Sequence, residues 1–138
     1  AAVVAPAGRS QRLPVHIIKC GELLKEMQKY PQATWFLEPV DHIKLGIPDY
    51  VTIITKPMDF GTIAKNLEKG VYETPEQFAE HMRLVFRNAI TYNQMRDHPV
   101  HVAAHVLLRK KDDEEMRLRL LQKRQEEQRR RELEQAQA

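Results

Sequence analysis

The apolar positions of the chain fall into four stretches with the period of an α-helix. Ile17, Cys20, Leu24 and Met27 follow Pro14, a residue tolerated in a first helical turn, and predict a helix over about 14–29. Phe60, Ile63, Ala64 and Leu67 sit at i, i+3, i+4 and i+7, behind Asp59 as a possible cap and ahead of Gly70 as a stop. Thr74-Pro75-Glu76-Gln77 reads as a second start, with Thr74 at the N-cap, Pro75 in the first turn and Gln77 completing a capping box. Phe78, Met82, Val85, Phe86 and Ala89 form the stripe behind it. After a break at Asn93–Asp97, Pro99 opens a last helix with Val100, Ala103, Ala104, Leu107 and Leu108 on one face. Tyr50–Ile54 looks strand-like alone, but no second strand is there to pair with it, so it reads as loop or helical turn.

The pattern predicts an all-α four-helix bundle in which one connection, residues 31–59, is far longer than bundle loops usually are. Pro31, Pro39, Pro48 and Pro57 exclude a single helix across it. A connection of this length is as a rule either functional or disordered. Trp35, Phe36, Leu37, Val40, Leu45, Ile47, Tyr50, Ile53, Ile54 and Met58 make it too apolar to stay solvated, so the expectation is an ordered loop pinned to the bundle.

Length and charge narrow the picture. The 138 residues fit one globular domain with a charged appendage, divided as a flexible segment 1–12, a bundle 13–108 and a helical extension 109–138. The opening AAVVAPAGRS lacks the basic start and long apolar run of a secretory signal. Residues 1–108 carry 12 basic and 11 acidic side chains, a near-neutral body that disfavours general nucleic-acid binding. A single cysteine, Cys20, cannot form an internal disulfide, and no run approaches a membrane span, so the expectation is an intracellular chain with no membrane association. Strongly bound haem, iron–sulfur and cysteine-based zinc sites are disfavoured, and no cofactor is expected. Neither a Gly-rich phosphate loop nor a nucleophile with its base and orienter can be assembled, so no enzyme is expected.

From Arg109 to Gln135, 18 of 27 residues are charged, in blocks of alternating sign. Acids precede arginines by four at 113/117, 115/119, 126/130 and 127/131, pairs that support a solvated helix by about 0.2–0.5 kcal/mol each. Apolar residues thin out after Leu121, leaving Leu133, so no sustained heptad seam is present. The reading is a free helical extension, with Met116, Leu118, Leu120 and Leu121 available for a short contact. Arg129-Arg130-Arg131 could touch phosphate or act as an import signal, although arginines flanked by glutamates are a common solvated pattern.

The ordered set Phe36-Leu37-Glu38-Pro39-Val40-Asp41, Gly46-Ile47-Pro48-Asp49-Tyr50, Pro57-Met58-Asp59-Phe60 and Tyr92-Asn93 closely resembles the bromodomain family over roughly residues 14–108. The resemblance implies a left-handed four-helix bundle whose long first loop and last inter-helix loop form a pocket for acetylated lysine, without catalysis. It implies that Asn93 hydrogen-bonds the acetyl carbonyl and that Tyr50 reaches the same oxygen through an ordered water. Phe36 and Val40 would receive the acetyl methyl, Pro39, Leu45, Ile47 and Tyr92 would form the walls, and Met58 would lie at the floor. Phe36, Val40, Leu45, Ile47 and Met58 serve equally well as loop packing. The implied partners are acetylated lysine peptides such as histone tails, bound by a nuclear, monomeric protein.

Three positions depart from the family pattern. The usual Trp-Pro-Phe opening is here Thr34-Trp35-Phe36, so Trp35 must swing to supply the shelf for the peptide or leave it shorter and more polar. Pro99 stands at the gatekeeper position, with Val100 beside it, which predicts a wider pocket mouth. Ala89 and Val51 replace a common cysteine and a common second tyrosine without touching the acetyl contacts. His98, His101 and His105 share a helical face at spacings that could hold a metal, but no acidic ligand joins them and a polar face is the plainer reading. The rival to a reader is a scaffold whose charged C-terminal helix recruits or dimerises.

Overall fold

The computed structural model describes residues 15–138; the expected flexible segment 1–12 and Pro14 lie outside the described residues. Helix α1 spans Val15–Gln28, a 3-10 helix spans Pro31–Phe36, and α2 is a single turn at Tyr50–Ile53. Helices α3 (Phe60–Lys69), α4 (Pro75–Tyr92) and α5 (Pro99–Gln137) follow, and α1, α3, α4 and α5 make the bundle. Tyr50–Ile53 is a helical turn because Ile54 N–H closes back on the Tyr50 carbonyl at 2.8 Å, and no strand lies beside it among the described residues.

The punctuation works largely as the residues suggest. Asp59 caps α3 by accepting from Thr62 N–H at 3.0 Å, and Gly70 ends it in the left-handed region at φ 71°. Thr74 caps α4 by accepting from Gln77 N–H at 3.3 Å. Gln77 Oε1, however, accepts from Glu73 N–H at 2.6 Å, one residue upstream of the capping-box partner. His98 caps α5, its Nδ1 accepting from Val100 N–H at 3.1 Å, with Pro99 preset for the first turn.

The predicted stripes meet in one core. Phe60, Ile63, Met82, Phe86, Ala104 and Leu107 are fully buried, and Phe36 joins them from the 3-10 helix. Its ring centroid is 5.5 Å from that of Phe86, edge-on, and Phe60 lies 5.9 Å from Phe86, so three aromatic rings lock the loop's start to α3 and α4. Backbone groups also tie the loop to the bundle. Gly61 N–H donates to the Leu37 carbonyl at 3.1 Å, and Asn88 Nδ2 donates to the Lys56 carbonyl at 2.8 Å.

Two expectations change. The loop is pinned by Ala33, Phe36, Tyr50 and Ile54, while Trp35, Leu37, Val40, Ile43 and Leu45 are exposed. Local turns satisfy the loop backbone, as where Asp41 accepts from Lys44 N–H at 3.0 Å, so the loop can be ordered without burying every apolar side chain. Packing of α5 also continues past Leu108. Lys111 is fully buried and bonded to Glu115, which in turn lies 3.8 Å from Arg83 of α4, so the helix departs from the bundle about two turns later than its sequence pattern suggests. In the tail, Arg119 pairs with Glu115 at 3.6 Å, but Arg117 pairs with Glu114 rather than Asp113.

Candidate functional site

The C-terminus of α4 and the long loop meet around Asn93. Asn93 is the C-cap residue of α4, and its backbone N–H donates to the Ala89 carbonyl at 2.9 Å. Its side-chain Nδ2 donates to the same carbonyl at 3.1 Å, which fixes the carboxamide against the last helical turn. The Asn93 carbonyl is 2.6 Å from His101 Nδ1. A carbonyl can only accept, so that nitrogen carries the proton and the ring donates. Three bonds therefore hold Asn93 before any ligand arrives. Among the described residues the second Nδ2 hydrogen has no partner, and one amide donor is left for a guest.

Tyr50 and Tyr92 stand together beside it, with ring centroids 5.0 Å apart in an edge-on arrangement. The Tyr92 hydroxyl donates to Asp49 Oδ1 at 2.6 Å, tying the loop to the end of α4. That bond, with the negative charge beside it, pushes the phenol up to about 12, so the hydroxyl stays protonated and committed to Asp49. Tyr50 is buried, and burial raises its phenol as well. Among the described residues no hydrogen bond uses the Tyr50 hydroxyl, which leaves it as a neutral group free to donate.

The remaining candidates divide by depth. Phe36 is buried in the core, Met58 is half-buried against it, and Ile47 is half-buried in the loop. Pro39, Val40, Leu45, Trp35 and Pro99 are exposed, forming an apolar rim on the loop and at the start of α5. The structure thus joins Tyr92, Tyr50 and Asp49 next to Asn93, anchors Phe36 in the core at the start of the loop, and leaves Pro39, Val40, Leu45, Trp35 and Pro99 open to solvent. Sequence reasoning assigned His101 to a polar face, whereas it is buried and buttresses Asn93; its i+8 separation from Asn93 across a helix start was the available signal. The His105 ring lies against that of His101, tilted, at 4.8 Å between centroids, and His98 caps α5.

The long loop, tied to the end of α4 through Asp49 and Tyr92, thus lies next to the held carboxamide of Asn93. Comparison with known proteins assigns the family. The profile described as Bromodomain matches residues 20–106. Transcription factor GTE2 of Arabidopsis thaliana is 44% identical over 93 residues, covering 67% of this chain and 16% of that protein. Bromodomain-containing factor 1 of Saccharomyces cerevisiae is 41% identical over 88 residues, covering 62% of this chain and 13% of that protein. The second bromodomain of Candida albicans Bdf1, solved with an imidazopyridine bound, superposes with a TM-score of 0.68 at 32% identity, covering 74% of this chain and 98% of that one. The chain belongs to the bromodomain family, and its bundle is an acetyl-lysine recognition module. It spans a small part of the length of these curated relatives.

Proposed function

We propose that this chain reads acetylated lysine on histone tails in the nucleus, with Asn93 as the direct donor to the acetyl carbonyl. The observation that carries the reading is the state of Asn93, whose carboxamide is held by Ala89 and whose backbone is held by His101 while one N–H remains unused. Acetylation converts an ammonium into a neutral amide with a carbonyl acceptor and a methyl group. A site with a fixed amide donor and a free phenol suits the carbonyl, and Phe36, Val40 and Ile47 suit the methyl. An unmodified ammonium would have to shed its water for donors it cannot use, a penalty of several kcal/mol per ion. Tyr50 would act on the carbonyl through a bridging water. Pro39, Leu45 and Tyr92 form the walls and Met58 the floor, while Trp35 and Pro99 shape the rim on which the peptide chain rests.

All of these residues come from one copy of the chain, so recognition needs no second subunit. The relatives that are transcription factors support a nuclear setting, and the near-neutral bundle supports a peptide rather than a nucleic acid as the direct partner. Calorimetric titration with acetylated and matched unacetylated histone H3 and H4 tail peptides tests the reading. Asn93→Ala should weaken acetyl-peptide binding by about 1–3 kcal/mol, roughly ten- to hundredfold. Equal binding of acetylated and unacetylated peptides would remove the proposal. So would a folded Asn93→Ala protein with unchanged affinity.

A further inference from the structure

Helix α5 is 39 residues long, and its C-terminal half presents a face that the bundle does not use. Lys111 and Leu107 point into the bundle. On the opposite side, Arg109, Asp113, Met116, Leu120, Lys123 and Arg130 recur at spacings of three and four (with one gap of seven) and are all exposed. Met116 is 52% and Leu120 49% exposed, too apolar a centre for a face meant only for water.

The charges flanking that centre are arranged with a sign-inverting symmetry. Reversal about the point between Leu121 and Gln122 brings Arg109 onto Glu134, Asp113 onto Arg130 and Asp112 onto Arg131. It also brings Glu114 onto Arg129 and Arg117 onto Glu126, and among exposed charges matches like with like only at Arg119 and Arg124. Within the single chain, Asp112, Asp113, Arg129, Arg130 and Arg131 form no ion pair among the described residues, so these blocks are not consumed in stabilising their own helix.

We propose that this face of α5 binds a second copy of the chain, as an antiparallel helix pair with its two-fold axis at Leu121–Gln122. Leu120 of each copy falls opposite Lys123 of the other, whose aliphatic stem covers the apolar centre, and the acidic block of each copy lies against the basic block of the other. Only an antiparallel pairing does this, because a parallel one sets acid on acid and base on base. The bundle occupies the opposite side of α5, so the partner helix can run past Asp113 to Arg109 without collision.

Sedimentation equilibrium of the 138-residue chain tests the pairing, with helix content followed by circular dichroism. The chain should equilibrate between 16.2 kDa and twice that mass, with the dimer favoured at low salt. Asp112→Arg with Asp113→Arg, or Arg130→Glu with Arg131→Glu, should each raise the dimer dissociation constant by roughly tenfold or more, since every reversed site acts twice across the axis. An equimolar mixture of the two variants should recover the dimer, as should one chain carrying all four reversals. A chain that stays monomeric at millimolar concentration overturns the pairing. A dimer indifferent to the reversals, or variants that fail to recover on mixing, overturns it equally.

Discussion

At the scale of single residues, the site depends on groups that hold other groups. His101 donates to the carbonyl of Asn93, and Tyr92 donates to Asp49, so the donor and the loop beside it are fixed from opposite sides. Tyr92→Phe keeps the ring against Tyr50 and removes only the tie to Asp49. Amide exchange over residues 41–50 should quicken, and acetyl-peptide affinity should fall severalfold through a faster off-rate, with the melting temperature little changed. Unchanged exchange in that loop would show that the Asp49 bond does not hold it. Gly61 is a second such residue. A Cβ there would stand 2.9 Å from the Leu37 carbonyl oxygen and 3.0 Å from Asp59 Oδ2, the one a backbone atom and the other a cap already engaged. Gly61→Ala should cost about 1–3 kcal/mol by overpacking. It should lower the melting temperature by several degrees and weaken ligand binding as the loop is pushed off α3, both readable by calorimetry.

At the scale of elements, α3 and α4 are joined at the end of the bundle away from Asn93 by a chain of polar side chains. Asn66 Nδ2 donates to the Tyr72 hydroxyl at 3.2 Å, and that hydroxyl is hydrogen-bonded to His81 Nδ1 at 2.7 Å. Burial, only partly offset by Glu80, lowers His81 below its usual value. The unfolded chain therefore binds more protons than the folded one as pH falls below about 6.5, so stability declines with falling pH through the interval down to the depressed folded value. Urea unfolding between pH 7.5 and 5 should show this decline. His81→Gln, which cannot charge, should flatten it; a parallel decline in that variant would place the titration elsewhere.

The elements also show what the chain pattern made legible. Helices α3, α4 and α5 begin where Asp59, Thr74 and Pro99 announce them, because caps and prolines act through a few neighbouring residues. Asn93 and Tyr50 could be singled out as candidates because short motifs surround them. The depth of α5 packing was not legible. Lys111 lies in a run of charges that looks solvated, and the Glu115 carboxylate bonded to it, itself 3.8 Å from Arg83, is what makes its burial tolerable. Burial pushes the Cys20 thiol up to about 11, and the negative charges of Glu76 and Glu115 add to the rise. The exposed loop residues Leu37 and Leu45 were misjudged for the opposite reason, since a count of apolar residues ignores turns that satisfy the backbone locally.

At the scale of the whole molecule, the candidate site lies beside the start of α5 and the free face further along the same helix, which fixes their separation. From Pro99, beside the site, to the midpoint at Leu121–Gln122 is about 34 Å at the rise of an α-helix, so an antiparallel pair would hold two sites about 70 Å apart. A short peptide with two acetyl-lysines cannot span that distance, since about 20 fully extended residues would be needed. Sites that are themselves widely spaced can be engaged together, and such bivalency raises apparent affinity by about 10²–10⁴ when the geometry permits. Dissociation from a surface densely coated with an acetylated tail peptide should therefore be far slower than from a sparse one. Arg130→Glu with Arg131→Glu should abolish that density dependence while leaving single-site affinity in solution unchanged, because both arginines lie far down the tail from Asn93. If the variant keeps the same density dependence as the parent chain, the bundles do not act in pairs. If it loses solution affinity as well, the tail acts on the pocket rather than on a second copy.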